Sequence, residues 1–583
     1  MCREIVALCV TNRQNQTMQD TSAISPPDLD RRSLLVAGAA GAGALALDVG
    51  FAGHADAAAN RYFKHGVASG DPYPDSVILW TRVTPSAAAT AGSGKGPRVS
   101  VRWQVARDEA FENVVSEGTF GTGPGRDHTV KLEAGGLRPR TSYYFRFLHR
   151  GVASRVGRTK TAPAHNATPR RLRFGVVSCS NWQAGWFSAY RHLSERDDLD
   201  AVLHLGDYLY EYAPGEYGYG NSNEDIRPHV PAREMVSLAD YRQRHAQYKT
   251  DRDLLDLHAK APFIVTWDDH ETTNDAYRNG AENHQPETEG DYKVRRARAY
   301  RAYDEWMPVR MGSAADLGDG TKLYRRIRFG KLAELSMLDL RTYRSKQVAN
   351  GLSGVSDPDR TITGDAQLNW LKDSLRNSRA QWKLVGNPVM IAPVVFPPLP
   401  ADVTSAVNDV TGLLPEDGVP YNVDQWDGYT ADRRKIFRHL ADHGVNDTVF
   451  LTGDIHSGWA CDLPLDASTY PATRSVATEF VCTSVTSNNL DDITGTPPRT
   501  TSLVVEAGIQ TSNRHVKYLN FDDHGYSVLD VTSHRTQMDY YKISDRAKRN
   551  ATSEWTASWV TEANSQTVHA ATSPVGATAG DAR

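Results

Sequence analysis

Val202-Leu203-His204-Leu205-Gly206-Asp207-Tyr208-Leu209-Tyr210 runs an apolar stretch into Gly-Asp-x-x-Tyr, and the reading of this segment decides the reading of the chain. The apolar part has the length and the abrupt stop of a strand buried in a sheet. The residues after the stop carry chemistry. A carboxylate can bridge two metal ions, and a phenol three residues later can reach one of them as phenolate, a hard anionic ligand that suits Fe(III) better than zinc or calcium. The segment points to a dinuclear centre containing iron. Asp and Tyr also end strands for turn and packing reasons, so the weight falls on companion segments.

Working outward, residues 172–178 read as a buried strand, 187–195 as a helix, 201–205 as a strand, 238–256 as a helix and 263–267 as a strand. Alternation of this kind gives an α/β sheet in which active groups gather just past the carboxyl ends of strands. Later strands are expected at 384–391 and 447–451, and 503–506 with 525–532 read as a closing meander. Residues 395–430, rich in Pro, Asp and Gly, read as a long loop lining a cleft. The helix expected at 292–306 carries Lys293, Arg295, Arg296, Arg298 and Arg301, read as a solvated face.

Four strand ends carry ligand-type residues. Ser178-Cys179-Ser180-Asn181 offers a thiolate. Gly206 to Tyr210 offers a bridging carboxylate and a phenolate. Trp267-Asp268-Asp269-His270-Glu271 offers carboxylate and imidazole, and so does Thr452-Gly453-Asp454-Ile455-His456, where Asp454 and His456 share one side of an extended chain. Each has a bland explanation alone: Cys179 as core filler, Asp207 as turn former, His270 as helix cap, His456 as a satisfied core imidazole. Their joint placement after apolar strands argues for a site.

Residues 61–165 differ, with short strands at 77–82, 99–105, 128–132 and 142–150 between Gly/Pro/Asp clusters, the pattern of an all-β sandwich. Within it Leu137-Arg138-Pro139-Arg140-Thr141-Ser142-Tyr143-Tyr144-Phe145 resembles a fibronectin type III corner, in which a Tyr near a strand start bonds back to the backbone. At the other end, residues 546–583 read as a Ser/Thr/Ala-rich mobile tail or lid, with Trp555 and Trp559 at i, i+4 anchoring a short helix. The 583 residues exceed one ordinary core, so two domains and a tail are expected.

A net charge of −4 argues against a nucleic-acid partner and leaves small anions open. Residues 1–57 hold Asp30-Arg31-Arg32-Ser33-Leu34-Leu35, a weakly apolar run at 34–47 and Ala55-Asp56-Ala57, which read as a twin-arginine leader cleaved near Ala58. That run is too short and Gly-rich to span a bilayer. A secreted, monomeric metalloprotein, folded before export, is expected. Cys2 and Cys9 leave with the leader. Cys461 and Cys482, on neighbouring strands, either pair or stay as buried thiols, and Cys179 is free for a metal.

The order of these motifs is similar to the calcineurin-like metallophosphoesterase superfamily. The opening Phe63-Lys64-His65-Gly66-Val67-Ala68-Ser69-Gly70-Asp71-Pro72, the Trp-Asp-Asp-His-Glu box and Gly453-Asp454-Ile455-His456-Ser457 resemble PhoD-type alkaline phosphatases and iron-dependent phospholipase D relatives, over about residues 61–545. The resemblance implies a metallophosphoesterase β-sandwich flanked by helices (166–545) behind a small fibronectin III-like domain (61–165). Several positions depart from the superfamily. Cys179 stands where Asp and His are usual, Asp269 replaces Asn, Asp454 replaces the first His of Gly-His-x-His, and Asn387 in Val385-Gly386-Asn387-Pro388 lies near a usual His.

The implied ligands are Cys179, Asp207, Tyr210 and His456 for Fe(III), and the oxygens of Asp207, Asp269, Asn387 and Asp454 for one or more Ca(II). His270 resembles the histidine that protonates the leaving oxygen, tuned by Asp268 or Asp269. Arg341 is the candidate phosphate clamp, with Arg344 its competitor. The expected activity is hydrolysis of phosphate monoesters or diesters with an alkaline optimum. Alternatives are phospholipase D action on a lipid head group, and a non-catalytic exported calcium-binding protein.

Overall fold

The computed structural model describes residues 61–311, 322–348, 354–396 and 419–576. The leader expected at 1–57 lies outside the described residues, as does most of the loop at 395–430. Two sheets face each other. The first has ten strands in the order Val568–Ala571, Ser553–Glu562, Arg535–Ile543, Gly525–Thr532, Arg171–Val177, Ala201–Leu205, Phe263–Thr266, Val67–Gly70, Val77–Arg82 and Thr129–Ala134. The second has seven: Arg325–Phe329, Ala333–Met337, Trp382–Asn387, Thr448–Thr452, Ser475–Val481, Gly458–Pro464 and Val516–Asn520.

Side chains alternate across these strands, so each sheet supplies two faces. Leu203, Leu205 and Ile264 of the first sheet meet Leu335, Leu384 and Leu451 of the second in the core between them. On the outer side, Val202, Phe263 and Val265 pack under helices with Leu193, Tyr241 and Tyr303. The second sheet is covered likewise through Val385, Phe450, Leu371 and Ile436. This is the expected sandwich flanked by helices. Ala201–Leu205 runs parallel to Arg171–Val177 and Phe263–Thr266, and Thr448–Thr452 runs parallel to Trp382–Asn387, so within each sheet the carboxyl ends share an edge. A parallel bridge between Ser178 and Ser484 ties one edge to the other.

Several local readings change. The helix expected at 238–256 is two, Leu238–Tyr248 and Arg252–Lys260, because the Asp251 carboxylate accepts the Leu254 N–H and caps a new start. Residues 503–506 lie inside the helix Thr501–Ser512, where Ser502, Glu506 and Ile509 recur at helical spacing as the buried side. On Tyr292–Trp306 only part of the basic row is solvated: Arg295 is fully buried between Glu234 and Glu289, and Arg296 is also buried. Cys461 and Cys482 are free thiols. They belong to opposite faces of the second sheet, Cys461 in its outer core and Cys482 in the core between the sheets, so no disulfide joins them.

The N-terminal strands form the expected all-β sandwich around a core of Val77, Leu79, Val101, Phe145 and Phe147, but one of its two layers is continuous with the first sheet. Val67–Gly70 pairs with Phe263–Thr266 at Gly70 and with Val77–Arg82 along its length, which carries the first sheet into the N-terminal region. Over this extension lies a five-stranded sheet built on Val99–Ala106 and Ser142–His149. The expected corner is present: the Arg138 N–H donates to the Tyr143 hydroxyl at 2.8 Å. At the other end Ser553–Glu562 and Val568–Ala571 are the last two strands of the first sheet, not a tail or helix. An i, i+4 spacing fits a regular strand as well as a helix, so it could not discriminate, and here a bulge opposite Tyr540 and Tyr541 places Trp555 and Trp559 on opposite faces.

Where the N-terminal strands meet Leu238–Tyr248, the ammonium of Lys249 is fully buried. Its Nζ lies 2.8 Å from the Tyr208 hydroxyl and 3.2 Å from His258 Nε2, over the rings of Trp80 and Tyr208. His65, His204, His245 and His258 are buried around it, while Arg82 nearby is paired with Asp127. Among the described residues no carboxylate pairs with Lys249. Burial lowers its pKa to about 7 and that of His204 to about 3.

Candidate metal centre

At the shared edge the backbone turns sharply. Cys179 (φ 58°), Asp207 (φ 54°), Asp454 (φ 69°) and His456 (φ 49°) all occupy the left-handed region. Each costs a residue with a Cβ about 1 kcal/mol or more, and such strain concentrates at functional sites. Gly206 (φ 109°) makes the first turn possible, since a Cβ there would sit 2.6 Å from the Cβ of Asp268.

Ligand atoms of Cys179, Asp207 and His456 lie within 4.8 Å of one another. The Tyr210 hydroxyl joins them, 2.9 Å from Asp207 Oδ2 and 3.4 Å from His456 Nε2. All four residues of the expected iron subsite therefore converge. Segment 486–488 braces them: the Nδ1 of His456 lies 2.9 Å from the Asn488 carbonyl, which fixes Nε2 as the free nitrogen, and the Ser487 hydroxyl lies 2.6 Å from that of Tyr210. Burial, then the charge of Asp207, pushes the Cys179 thiol and the Tyr210 phenol well up. A cation at bonding distance reverses that balance and makes thiolate and phenolate the stable forms.

The second subsite is also recognisable, with a changed membership. Oxygens of Asp207, Asp268 and Asp454 lie within 4.8 Å of one another, and a further group joins Asp207, Asp269 and His270. Asp268, which the sequence suggested only as a tuner of His270, is thus a ligand candidate in its own right. Asp207 Oδ1 and Asp269 Oδ1 are buried without a hydrogen-bond partner. Burial, then neighbouring carboxylates, pushes Asp454 well up, and Asp207 is pushed up likewise despite the opposing charge of His270. Crowded buried carboxylates with unpartnered oxygens fit a cation. Asn387 is instead absorbed into the frame: its Nδ2 donates to Val389 O and Thr452 Oγ1, and its Oδ1 accepts from Trp426 Nε1.

The guanidinium of Arg341 is not a free clamp. Its Nε and Nη2 span the two oxygens of Asp268 at 2.6 and 2.9 Å, while Nη1 and Nη2 span Asp424 at 3.0 and 2.8 Å. Both forks are taken by protein carboxylates, and the side chain is buried. Arg344 also binds Asp424, at 2.7 Å, and rests on the Tyr429 hydroxyl. Arg341 therefore fixes Asp268 and offsets its charge.

His270 Nδ1 lies 2.7 Å from Glu211 Oε2, a hydrogen-bond partner added to the expected influence of Asp269. Glu211 is fully buried and also receives the Asn274 N–H and the Asn283 amide. Burial alone would lower the His270 pKa, but Asp269, Glu211 and Asp207 together raise it well above the usual imidazole value. Conversely, the charge and hydrogen bond of His270 overcome burial and bring Glu211 down to about 2. The signal for Glu211 in the sequence was only its place directly after Tyr210. Aromatic rings line the imidazole: Tyr210, Tyr212 and Tyr217 lie 4.2, 5.5 and 6.4 Å from it between centroids.

Residues 174–540 match the family model of PhoD-like phosphatase, and residues 50–163 match that of the PhoD-like phosphatase N-terminal domain. Alkaline phosphatase D of Bacillus subtilis (strain 168) is 39% identical over 485 residues, which cover 82% of this chain and 77% of that protein. A solved structure of PhoD superposes with a TM-score of 0.77 at 35% identity, covering 88% of this chain and 93% of the other.

Proposed function

Because the chain belongs to the PhoD-like phosphatase family and is a phosphate-ester hydrolase, we propose that it works as a metal-dependent phosphatase of the alkaline phosphatase D type. Family membership sets aside the non-catalytic alternative. No feature of the site singles out a lipid head group, so the phospholipase D reading is not carried further. Cys179, Asp207, Tyr210 and His456 would hold Fe(III), with thiolate and phenolate as the deciding donors. Asp207, Asp268, Asp454 and Asp269 would hold Ca(II), as an all-oxygen set suits a hard cation.

Ions held by these residues would supply acidified water for attack on phosphorus and counter-charge for the phosphoryl oxygens. The protein residues do the rest. Arg341, locked by Asp424, holds Asp268 in place. Glu211 keeps the Nδ1 proton of His270 and stabilises its cationic form, so Nε2–H is the donor offered to the departing oxygen. Every proposed ligand comes from one chain, which makes a monomer sufficient. No helix among the described residues is long and apolar enough to cross a membrane, and export through the leader at 1–57 completes the proposal.

The single observation that carries this reading is the convergence of Cys179, Asp207, Tyr210 and His456. Elemental analysis and visible spectroscopy test it: the pure protein should contain iron and calcium and absorb through phenolate-to-iron charge transfer, and Tyr210→Phe should bleach that band. A colourless, iron-free and fully active protein refutes the ligand set.

A further inference from the structure

We propose that Tyr217 is a specificity-determining residue, its ring forming with Tyr212 an aromatic wall on which a planar aromatic leaving group stacks. The proposal rests on the phosphoesterase reading, since it takes His270 as the donor to the leaving oxygen. The Nδ1 of His270 is occupied by Glu211, which leaves Nε2 as the nitrogen available to a leaving oxygen. A leaving group protonated there must extend past the imidazole, and what it meets is set by the rings packed around that side chain.

Those rings are phenols. Tyr210, against the imidazole, is fully buried and committed to the metal centre. Tyr217 lies beyond, its plane within 16° of the imidazole plane, 5.7 Å from Tyr210 and 5.3 Å from Tyr212 between centroids. Tyr212 and Tyr217 are both partly exposed, so aromatic surface reaches solvent beside the proton donor.

The wall is also held still. The Tyr217 carbonyl accepts the Asn181 amide at 2.7 Å, the Gly218 carbonyl accepts the Asn488 amide at 2.9 Å, and Tyr219 forms a backbone bridge with Glu224. Asn181 follows Cys179 by two residues and Asn488 braces His456, so the ring is positioned by the segments that carry the metal ligands. A ring fixed before substrate arrives loses little freedom on stacking, and planar groups gain most from a flat partner.

The test compares 2-naphthyl phosphate with phenyl phosphate, whose leaving phenols are of similar acidity, so stacking area varies while the chemistry stays matched. Metal-loaded enzyme should prefer the naphthyl ester in kcat/KM by roughly three- to tenfold. Tyr217→Leu should erase that preference and Tyr217→Phe should keep it. Competitive inhibition by naphthyl- and phenylphosphonate should follow the same pattern without turnover. Should Tyr217→Leu not fold, Tyr212→Leu provides the same readout. A wild-type enzyme without the preference, or leucine variants that retain it, overturns the proposal. Failure of wild-type enzyme to hydrolyse either ester would strike the phosphoesterase reading instead.

Discussion

Two buried clusters of ionisable groups meet one peptide apart, with Asp207 in one and Tyr208 in the other. The first gathers Asp207, Asp268, Asp269 and Asp454 with Cys179 and Tyr210. The second gathers Lys249 with His65, His204, His245 and His258. Both concentrate groups of like charge away from water, where an uncompensated ion costs several kcal/mol. They are reconciled in opposite ways. The acidic cluster leaves carboxylate oxygens without partners, and Arg341 and His270 offset only part of its charge, so the deficit is one that cations can fill. The basic cluster sheds protons, with Lys249 lowered to about 7, while ring nitrogens of His65, His204, His245 and His258 stay buried without partners. Crowded carboxylates are relieved by a cation, whereas crowded amine and imidazole groups are relieved by giving up protons.

The contrast is broken most severely at Asp207, the one residue common to all three groups of ligand atoms. Asp207→Asn should lower kcat by at least about a thousandfold, and elemental analysis should find both ions depleted. Loss of only one ion would remove its bridging role. Next in size is Arg341, the internal counter-charge of the acidic cluster. Arg341→Met leaves Asp268 buried without its guanidinium partner and Asp424 with Arg344 alone, and should destabilise the metal-free protein by about 3 kcal/mol in urea unfolding. Added calcium should recover part of that loss, because a cation then supplies the missing charge; no recovery would separate Asp268 from the calcium subsite.

The basic cluster gives the smaller and pH-dependent effect. Lys249 has a folded pKa near 7 against a usual 10.5, so between these values the unfolded chain binds a proton that the folded chain does not. Stability therefore rises with pH through that window, by about 2 kcal/mol from pH 7 to 8.5. Lys249→Met should flatten this rise in unfolding midpoints measured across the window. An unchanged slope would mean the ammonium keeps its charge in the fold.

The proposed ligands at the strand ends were legible because such chemistry demands rare side chains directly after buried strands. Cys179, Asp207, Tyr210, Asp454 and His456 needed no knowledge of distant partners. The features that stayed hidden depended on such partners. Arg341 looked like a free phosphate clamp because Asp424, which occupies it, lies 83 residues further along. Asp268 and Glu211 sit beside recognised residues, and only the packing shows that one joins the ligands and the other holds His270. Strand readings failed where a spacing serves two geometries, as with Trp555 and Trp559, or where burial alternates at helical spacing, as in Thr501–Ser512. The Cys461 and Cys482 pairing depended on which face each thiol takes, and that is fixed by register.

The continuity of the first sheet through Val67–Gly70 has a consequence for the dissection of this protein. The segments matched by the two family models, residues 50–163 and 174–540, look like interchangeable modules in the linear sequence. Yet Val67–Gly70 pairs through Gly70 with Phe263 at the border of Phe263–Thr266, the strand that leads into the Asp268–His270 segment. A truncated chain lacking the N-terminal module would bare that border as a template for self-association. The shared sheet couples the unfolding of the two segments.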